Sequence, residues 1–323
     1  MRSPSMLTAR RGARLATAVV LGVVLFGIGA VVIAGFASRF SISAILVLSS
    51  LLGIAAAGQT FVVLLGGVDL SIPFVIGVAD VIGAELTQRG TPFWESVLIV
   101  LAIAFAIGLF NGAVSAGLGI HPLIVTLGVG YMVQGAVQMW TGGQPSGLAP
   151  DWLTRAIIPG RRTGPIPFPP VVVFWVGFAL LVLLLLRGTV FGRRLYAVGA
   201  NPQAARLSLV SPVRLWSLTF GLSAVCAAVA GLLLLGFSGS ALATIGDPYL
   251  FLSVGAVVVG GTSLLGGRGG YGGTVAGAII LTELTTILIG VGLPDALQQV
   301  FLGIIIVLMV SIYGREAHVR STV

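Results

Sequence analysis

The sequence predicts an all-α, polytopic membrane protein with about ten transmembrane helices and both termini in the cytoplasm. Three observations predict it. Of the 323 residues, 57% are hydrophobic and only 8% are charged. A soluble domain carries about 25% charged residues, so this chain has too little polar surface to cover a globule in water. The apolar residues run in continuous blocks about twenty residues long, enough to cross about 30 Å of hydrocarbon as helix, without the period-two alternation of barrel strands. The arginines gather on alternate sides of those blocks.

The first block, 15–36, follows a basic, polar stretch and is longer than the 7–15 residue core of a signal peptide, so it reads as an uncleaved span. The others fall near 44–65, 71–87, 94–117, 121–140, 171–187, 214–236, 250–264, 272–290 and 296–313. The block at 71–87 is interrupted by Asp80 and Glu85. This divides the chain into a cytoplasmic tail over 1–14, one transmembrane domain over 15–313 and a cytoplasmic tail over 314–323. With the N-terminus inside, twelve arginines face the cytoplasm: Arg2, Arg10, Arg11, Arg14, five in 187–214, Arg268, Arg315 and Arg320. Five lie outside: Arg39, Arg89, Arg155, Arg161 and Arg162. That excess sets the orientation. It makes the Pro- and Gly-rich stretch 141–170 the main external loop and the basic stretch 187–214 a cytoplasmic one.

Composition also excludes chemistry. The chain has no lysine, so neither a phosphate-binding GxxxxGK[ST] loop nor a Schiff-base lysine exists here. The single cysteine, Cys226, sits in an apolar block and reads as a packed small residue. His121 and His318 have no second ligand nearby, so no metal site is expected. Gly267–Gly272 matches GxGxxG literally but follows an apolar span, and reads as a tight turn. The net charge of +8 fits arginines set beside anionic lipid headgroups; no basic tract with interleaved aromatics suggests nucleic acid. With no nucleophile–base pair in sight, the chain reads as no enzyme, with no cofactor of its own.

Within GGVDLSIP, Gly66 and Gly67 tolerate unusual backbone angles, Asp69 or Ser71 can accept from the free N–H groups of the next helix, and Pro73 fits its first turn. The stretch therefore reads as a helix break, or as a carboxylate on a translocation path. Polar groups within the spans include Gln59, Asn111, Thr126, Gln134, Gln138, Glu283, Thr285 and Thr286. They suit a neutral hydrophilic solute better than an ion, and serve equally as bonds between helices. VVLLGGVDLS at 62–71 and VVVGGTSLLGG at 257–267 each end an apolar span with a glycine pair, a pattern that suggests internal duplication.

GGVDLS at 66–71, NGAVSAGLGIHPLIVTLGV at 111–129, TGGQP at 141–145, FGRRLYAVGANPQAARLS at 191–208 and VVVGGTSLLGGRGG at 257–270 resemble the membrane permease of ribose-type sugar ABC importers, in family order. The resemblance covers about residues 45 to 310. It implies a permease of the bacterial inner membrane that moves a monosaccharide inward by alternating access. Its implied partners are a second permease subunit (a copy or a paralogue), two cytoplasmic ABC ATPase domains holding ATP and Mg, and an extracytoplasmic sugar-binding protein. It also implies that Phe191, Gly192, Arg193, Asn201, Ala204, Ala205 and Arg206 contact the ATPase. Two departures stand out. Leu209 and Val210 follow Ser208 where the family usually has Gly-Ile, and Ile72–Pro73 replace the common Val-Gly. A related importer for a nucleoside, amino acid or furanone signal, or a stand-alone secondary carrier, are the competing readings.

Overall fold

Every apolar block carries helix, but not every helix is a full span. The computed structural model describes residues 4–313; the expected tail 314–323, with Arg315, His318 and Arg320, lies outside them. The helices are α1 (Pro4–Val32), α2 (Arg39–Leu64), α3 (Ile72–Gln88), α4 (Phe93–Leu118), α5 (Pro122–Trp140), α6 (Asp151–Ile157) and α7 (Pro170–Gly188). They continue as α8 (Val190–Ala200), α9 (Pro202–Leu207), α10 (Pro212–Ser238), α11 (Tyr249–Val259), α12 (Tyr271–Gly290) and α13 (Asp295–Tyr313). Among the described residues the only β-pairing is two isolated bridges, Leu148 with Ser240 and Thr163 with Ile166. Helix ends follow local chemistry. Ser38, Thr189, Asn201 and Ser211 each cap a helix with a side-chain oxygen, and proline opens α5, α7, α9 and α10.

Among the described residues, six helices are long and apolar enough to cross a membrane: α2, α4, α5, α7, α10 and α12. The fold of the described residues is therefore all-helical with six such spans, where ten crossings are expected. α1 starts at Pro4, inside the stretch expected as a tail. Two of the expected blocks, those of α3 and α11, fall short for local reasons. α3 has 17 residues. The block expected at 250–264 yields only the 11 residues of α11, about 16 Å of helix and half a span. The chain leaves the helix at Gly260 and runs through turns to Gly270.

The interior is built on α10 and α2. α4 lies so close to α10 that a Cβ on Gly108 or Gly112 would strike the backbone at Phe220 or at Trp216 and Ser217. Small residues let helix backbones approach where lipid supplies no hydrophobic drive. Some buried polar groups bond between helices. Trp175 Nε1 on α7 donates to the Tyr271 hydroxyl on α12 at 3.0 Å, and that hydroxyl donates to the Gly53 carbonyl of α2 at 2.9 Å. Thr60 and Thr274 share a hydrogen bond of 2.8 Å.

At the far end of α3, Glu85 accepts from the Ser146 backbone at 2.9 Å and hydroxyl at 2.8 Å, and pairs with Arg89 at 3.3 Å. The Arg89 guanidinium lies 4.7 Å over the Trp140 ring. The acidic residues that interrupt this block thus tie α3 to neighbouring loops. Asp80 does the same, accepting from the Leu242 backbone at 2.7 Å.

Candidate transport and coupling site

The chain between α2 and α3 is the break expected at GGVDLSIP. Gly66 has φ +88, and residues 65–71 leave the helical path before α3 begins. Asp69, 2% exposed, organises the break. One carboxylate oxygen accepts from the Ser71 backbone and hydroxyl, and the other from the Ser223 hydroxyl of α10 at 2.7 Å. Asn111 of α4 donates to the Ser71 hydroxyl oxygen at 3.0 Å, and Thr126 of α5 accepts from the Leu70 backbone at 3.0 Å. Side chains from α4, α5 and α10 thus converge on the irregular chain that joins α2 to α3. A carboxylate out of reach of water needs such donors.

Of the residues singled out in sequence, Gly66, Gly67, Asp69, Ser71, Asn111 and Thr126 come together here. Gln59 and Glu283 do not. Gln59 is fully buried in α2, and its amide has no hydrogen-bond partner. Glu283 is on α12, near α1; a Cβ on Gly22 would sit 3.9 Å from its Oε2. Sequence reasoning missed Ser223. Its signal was a hydroxyl deeper in the apolar block 214–236 than Ser217 and Thr219, where a buried serine must find a partner.

A second junction joins this break to α8. The Gly267 N–H donates to the Leu64 carbonyl at 2.9 Å, so the two glycine-pair stretches, 62–71 and 257–267, touch in space. Between them sits the end of α8. A Cβ on Gly199 would collide with the Leu64 carbonyl oxygen and lie 2.7 Å from the Gly267 nitrogen. Tyr196 adds a bond from its hydroxyl to the Gly269 carbonyl at 3.0 Å. Phe191 meets Phe61 of α2 edge-on at 6.3 Å.

The outer face of this segment is different. Arg193, Arg194, Asn201, Ala204 and Arg206 are exposed, while Gly192 and Ala205 are buried. Asn201 caps α9 by accepting from the Ala204 backbone at 3.0 Å. Leu207 and Leu209 are 88% and 96% exposed. Leu209 is the one described non-glycine residue with positive φ, at +59. A residue with a Cβ is strained there and glycine is not, which gives a physical reason for the usual Gly at this position. α8 and α9 therefore form a two-sided element, with an apolar face on the helix breaks and an exposed face of arginine and leucine.

The family profile described as branched-chain amino acid transport system / permease component matches residues 41–310. The autoinducer 2 import system permease protein LsrD of Klebsiella pneumoniae is 33% identical over 280 residues, 84% of this chain and 83% of that protein. The fructose import permease protein FrcC of Rhizobium meliloti is 33% identical over 300 residues, 91% and 82% of the two chains. The ribose import permease protein RbsC of Bacillus subtilis is 32% identical over 259 residues, 80% of each. No solved structure matches the chain. With two glycine-rich helix breaks locked together beneath an exposed basic element, and a match over nearly all of its spans, the chain belongs to the branched-chain amino acid transport system / permease component family: it is a multi-pass membrane permease, a transport subunit and not an enzyme.

Proposed function

We propose that this permease carries a monosaccharide inward across the bacterial inner membrane, driven by ATPase subunits that dock on α8 and α9 and supplied by an extracytoplasmic sugar-binding protein. One observation carries the reading. Gly199, at the end of the basic element, is wedged between the two helix breaks, so a push on α8 reaches both at once. In this reading residues 187–214 lie in the cytoplasm, 141–170 outside, both termini inside, and α1, α3, α11 and α13 complete the ten crossings. Two such subunits, copies or paralogues, pair with two ATPase domains, which hold the ATP and Mg. Phe191, Gly192, Arg193, Asn201, Ala204, Ala205 and Arg206 form the coupling contact. The Asp69 cluster keeps the first break in one conformation until that push arrives.

The test is to purify the complex with its encoded ATPase and binding protein, reconstitute it, and follow D-ribose and D-fructose uptake. ATP-dependent uptake with sugar-stimulated hydrolysis is expected. Uptake by this chain alone, driven by an ion gradient, would sink the reading and favour a stand-alone carrier. A second reading, import of autoinducer 2, is favoured by the similarity to LsrD; competition between that furanone and the two sugars decides between them.

A further inference from the structure

The chain between α10 and α11, residues 239–248, resembles a surface loop in sequence but descends into the protein. It runs antiparallel to α3 with a clear register. Ser240 is bridged to Leu148, beside Gly147, where a Cβ would meet the Ala84 backbone at 2.7 Å. The Leu242 N–H reaches Asp80. The Ala243 carbonyl sits against Gly77, and Gly246 against the Pro73 carbonyl. From Ala84 to Pro73 is eleven residues of helix, about 16 Å. Pro73 itself is two residues past Ser71, in the cluster that includes Ser223, and Ser223 lies eleven residues, about 16 Å, into α10. Gly246 is therefore near mid-depth, and α11 continues the descent from there. Residues 239–259 make one discontinuous crossing, irregular in its first half and helical in its second.

That placement creates a conflict with lipid. Thr244, Asp247 and Pro248 are exposed. Irregular backbone and a carboxylate at this depth cannot face hydrocarbon; they occur where they are covered by protein or line a watery cavity. Asp69, at a similar depth, is closed off by donors from Ser71 and Ser223. Asp247 has no side-chain donor among the described residues. The exposed face continues onto α5. Ala243, and Val133 of that helix, both pack against the cluster of Val78 and Val81 of α3 with Val137 of α5, and next to Val133 and Val137 in sequence stand Gln134, half-buried, and Gln138, exposed.

We propose that residues 240–248 line the aqueous solute pathway, and that Asp247, with Thr244 and the α5 glutamines Gln134 and Gln138, contacts the hydroxyl groups of the transported solute. This rests on the importer reading. A carboxylate accepts from two hydroxyls at once, and charge-assisted bonds of this kind are stronger than neutral ones. The amides and the threonine add donors and acceptors without charge, as a neutral polyhydroxylated solute requires. The start of α11 beside Asp247 and the start of α3 beside Asp69 place two helix N-termini close together, with their partial positive ends on the two carboxylates.

The experiment uses the reconstituted complete transporter. Its permease has a single, buried cysteine, Cys226, so added thiols are read against little background. Thr244→Cys, Asp247→Cys and Leu181→Cys on α7, 63% exposed on an apolar face, are treated with the charged reagent methanethiosulfonate ethylsulfonate. Modification at 244 and 247 but not at 181 is expected, slowed by saturating D-ribose or D-fructose. Failure of both cysteines to react, in complexes that still hydrolyse ATP, would place the segment against lipid or protein and overturn the proposal. Asp247→Asn supplies a readout without thiols: uptake at low sugar should fall at least about tenfold, the factor expected for one lost strong contact. Wild-type uptake in that variant overturns the role of the carboxylate. If the unaltered complex imports neither sugar, the monosaccharide reading fails instead, and the labelling pattern still decides whether the segment lies in water.

Discussion

Asp69 and Ser223 are 154 positions apart in the chain and 2.7 Å apart in space. The bond fixes the irregular chain after α2 to the middle of α10. Removing the hydroxyl leaves one carboxylate oxygen buried without its donor, at a cost of about 1–3 kcal/mol. Ser223→Ala is therefore expected to lower the midpoint of thermal unfolding in detergent and to slow transport. Ser223→Thr, which keeps the hydroxyl, should lie nearer wild type. Equal stability of Ser223→Ala and wild type would show that the bond does not hold the break.

Gly199 makes a sharper test because its neighbours are backbone. A methyl group there meets the Leu64 carbonyl and the Gly267 nitrogen, and overpacking of this kind costs about 1–3 kcal/mol. The strain falls on the contact between α8 and the two breaks. Gly199→Ala is expected to assemble with the ATPase and keep basal hydrolysis, yet lose at least about tenfold in transport per ATP. Gly188→Ala, where a Cβ meets nothing within 4 Å, is the control. Normal coupling in Gly199→Ala would remove this junction from the transmission path.

What was legible in sequence depended on how locally each feature is encoded. The GGVDLSIP break could be read because glycine, a capping side chain and proline act on their immediate neighbours. The two-sided character of α8 and α9 was legible in part: the arginines marked an exposed face, but only the structure shows Ala205 and Gly199 facing inward. Ser223 was hidden because a serine in an apolar block that also holds Ser217 and Thr219 names no partner 154 positions away. The segment 239–248 was hidden for a different reason. Its glycine, proline and small residues read as an ordinary turn. Its depth comes from long-range bonds to α3, such as Leu242 to Asp80, that no local pattern announces. The same blindness made 250–264 look like a full span.

Arg193 and Arg206 are both exposed on the outer face of the coupling element, with no acidic residue between Arg187 and Arg214. Reversing both charges leaves the inner, apolar face unchanged. The double variant Arg193→Glu, Arg206→Glu is expected to fold and insert normally but to weaken ATPase docking, with ATP hydrolysis no longer linked to sugar uptake. Co-purification of the ATPase and uptake per ATP hydrolysed measure the two effects. A variant that docks and transports like wild type would move the contact elsewhere.

Leu209 separates stability from partner contact. Its φ of +59 costs a residue with a Cβ about 1–2 kcal/mol relative to glycine. Glycine's greater freedom in the unfolded chain returns about 0.5–1 kcal/mol of that. Since the side chain is 96% exposed, its removal loses almost no burial within this subunit. Leu209→Gly should therefore leave the isolated permease as stable or slightly more stable, by up to about 1.5 kcal/mol. A strained, exposed leucine is explained if it fits a pocket on the ATPase, and the same variant should then bind that subunit more weakly. Thermal unfolding of the permease alone and titration with the ATPase read the two terms apart. Weaker binding with unchanged or improved stability assigns Leu209 to the contact; unchanged binding leaves its strain without a role there.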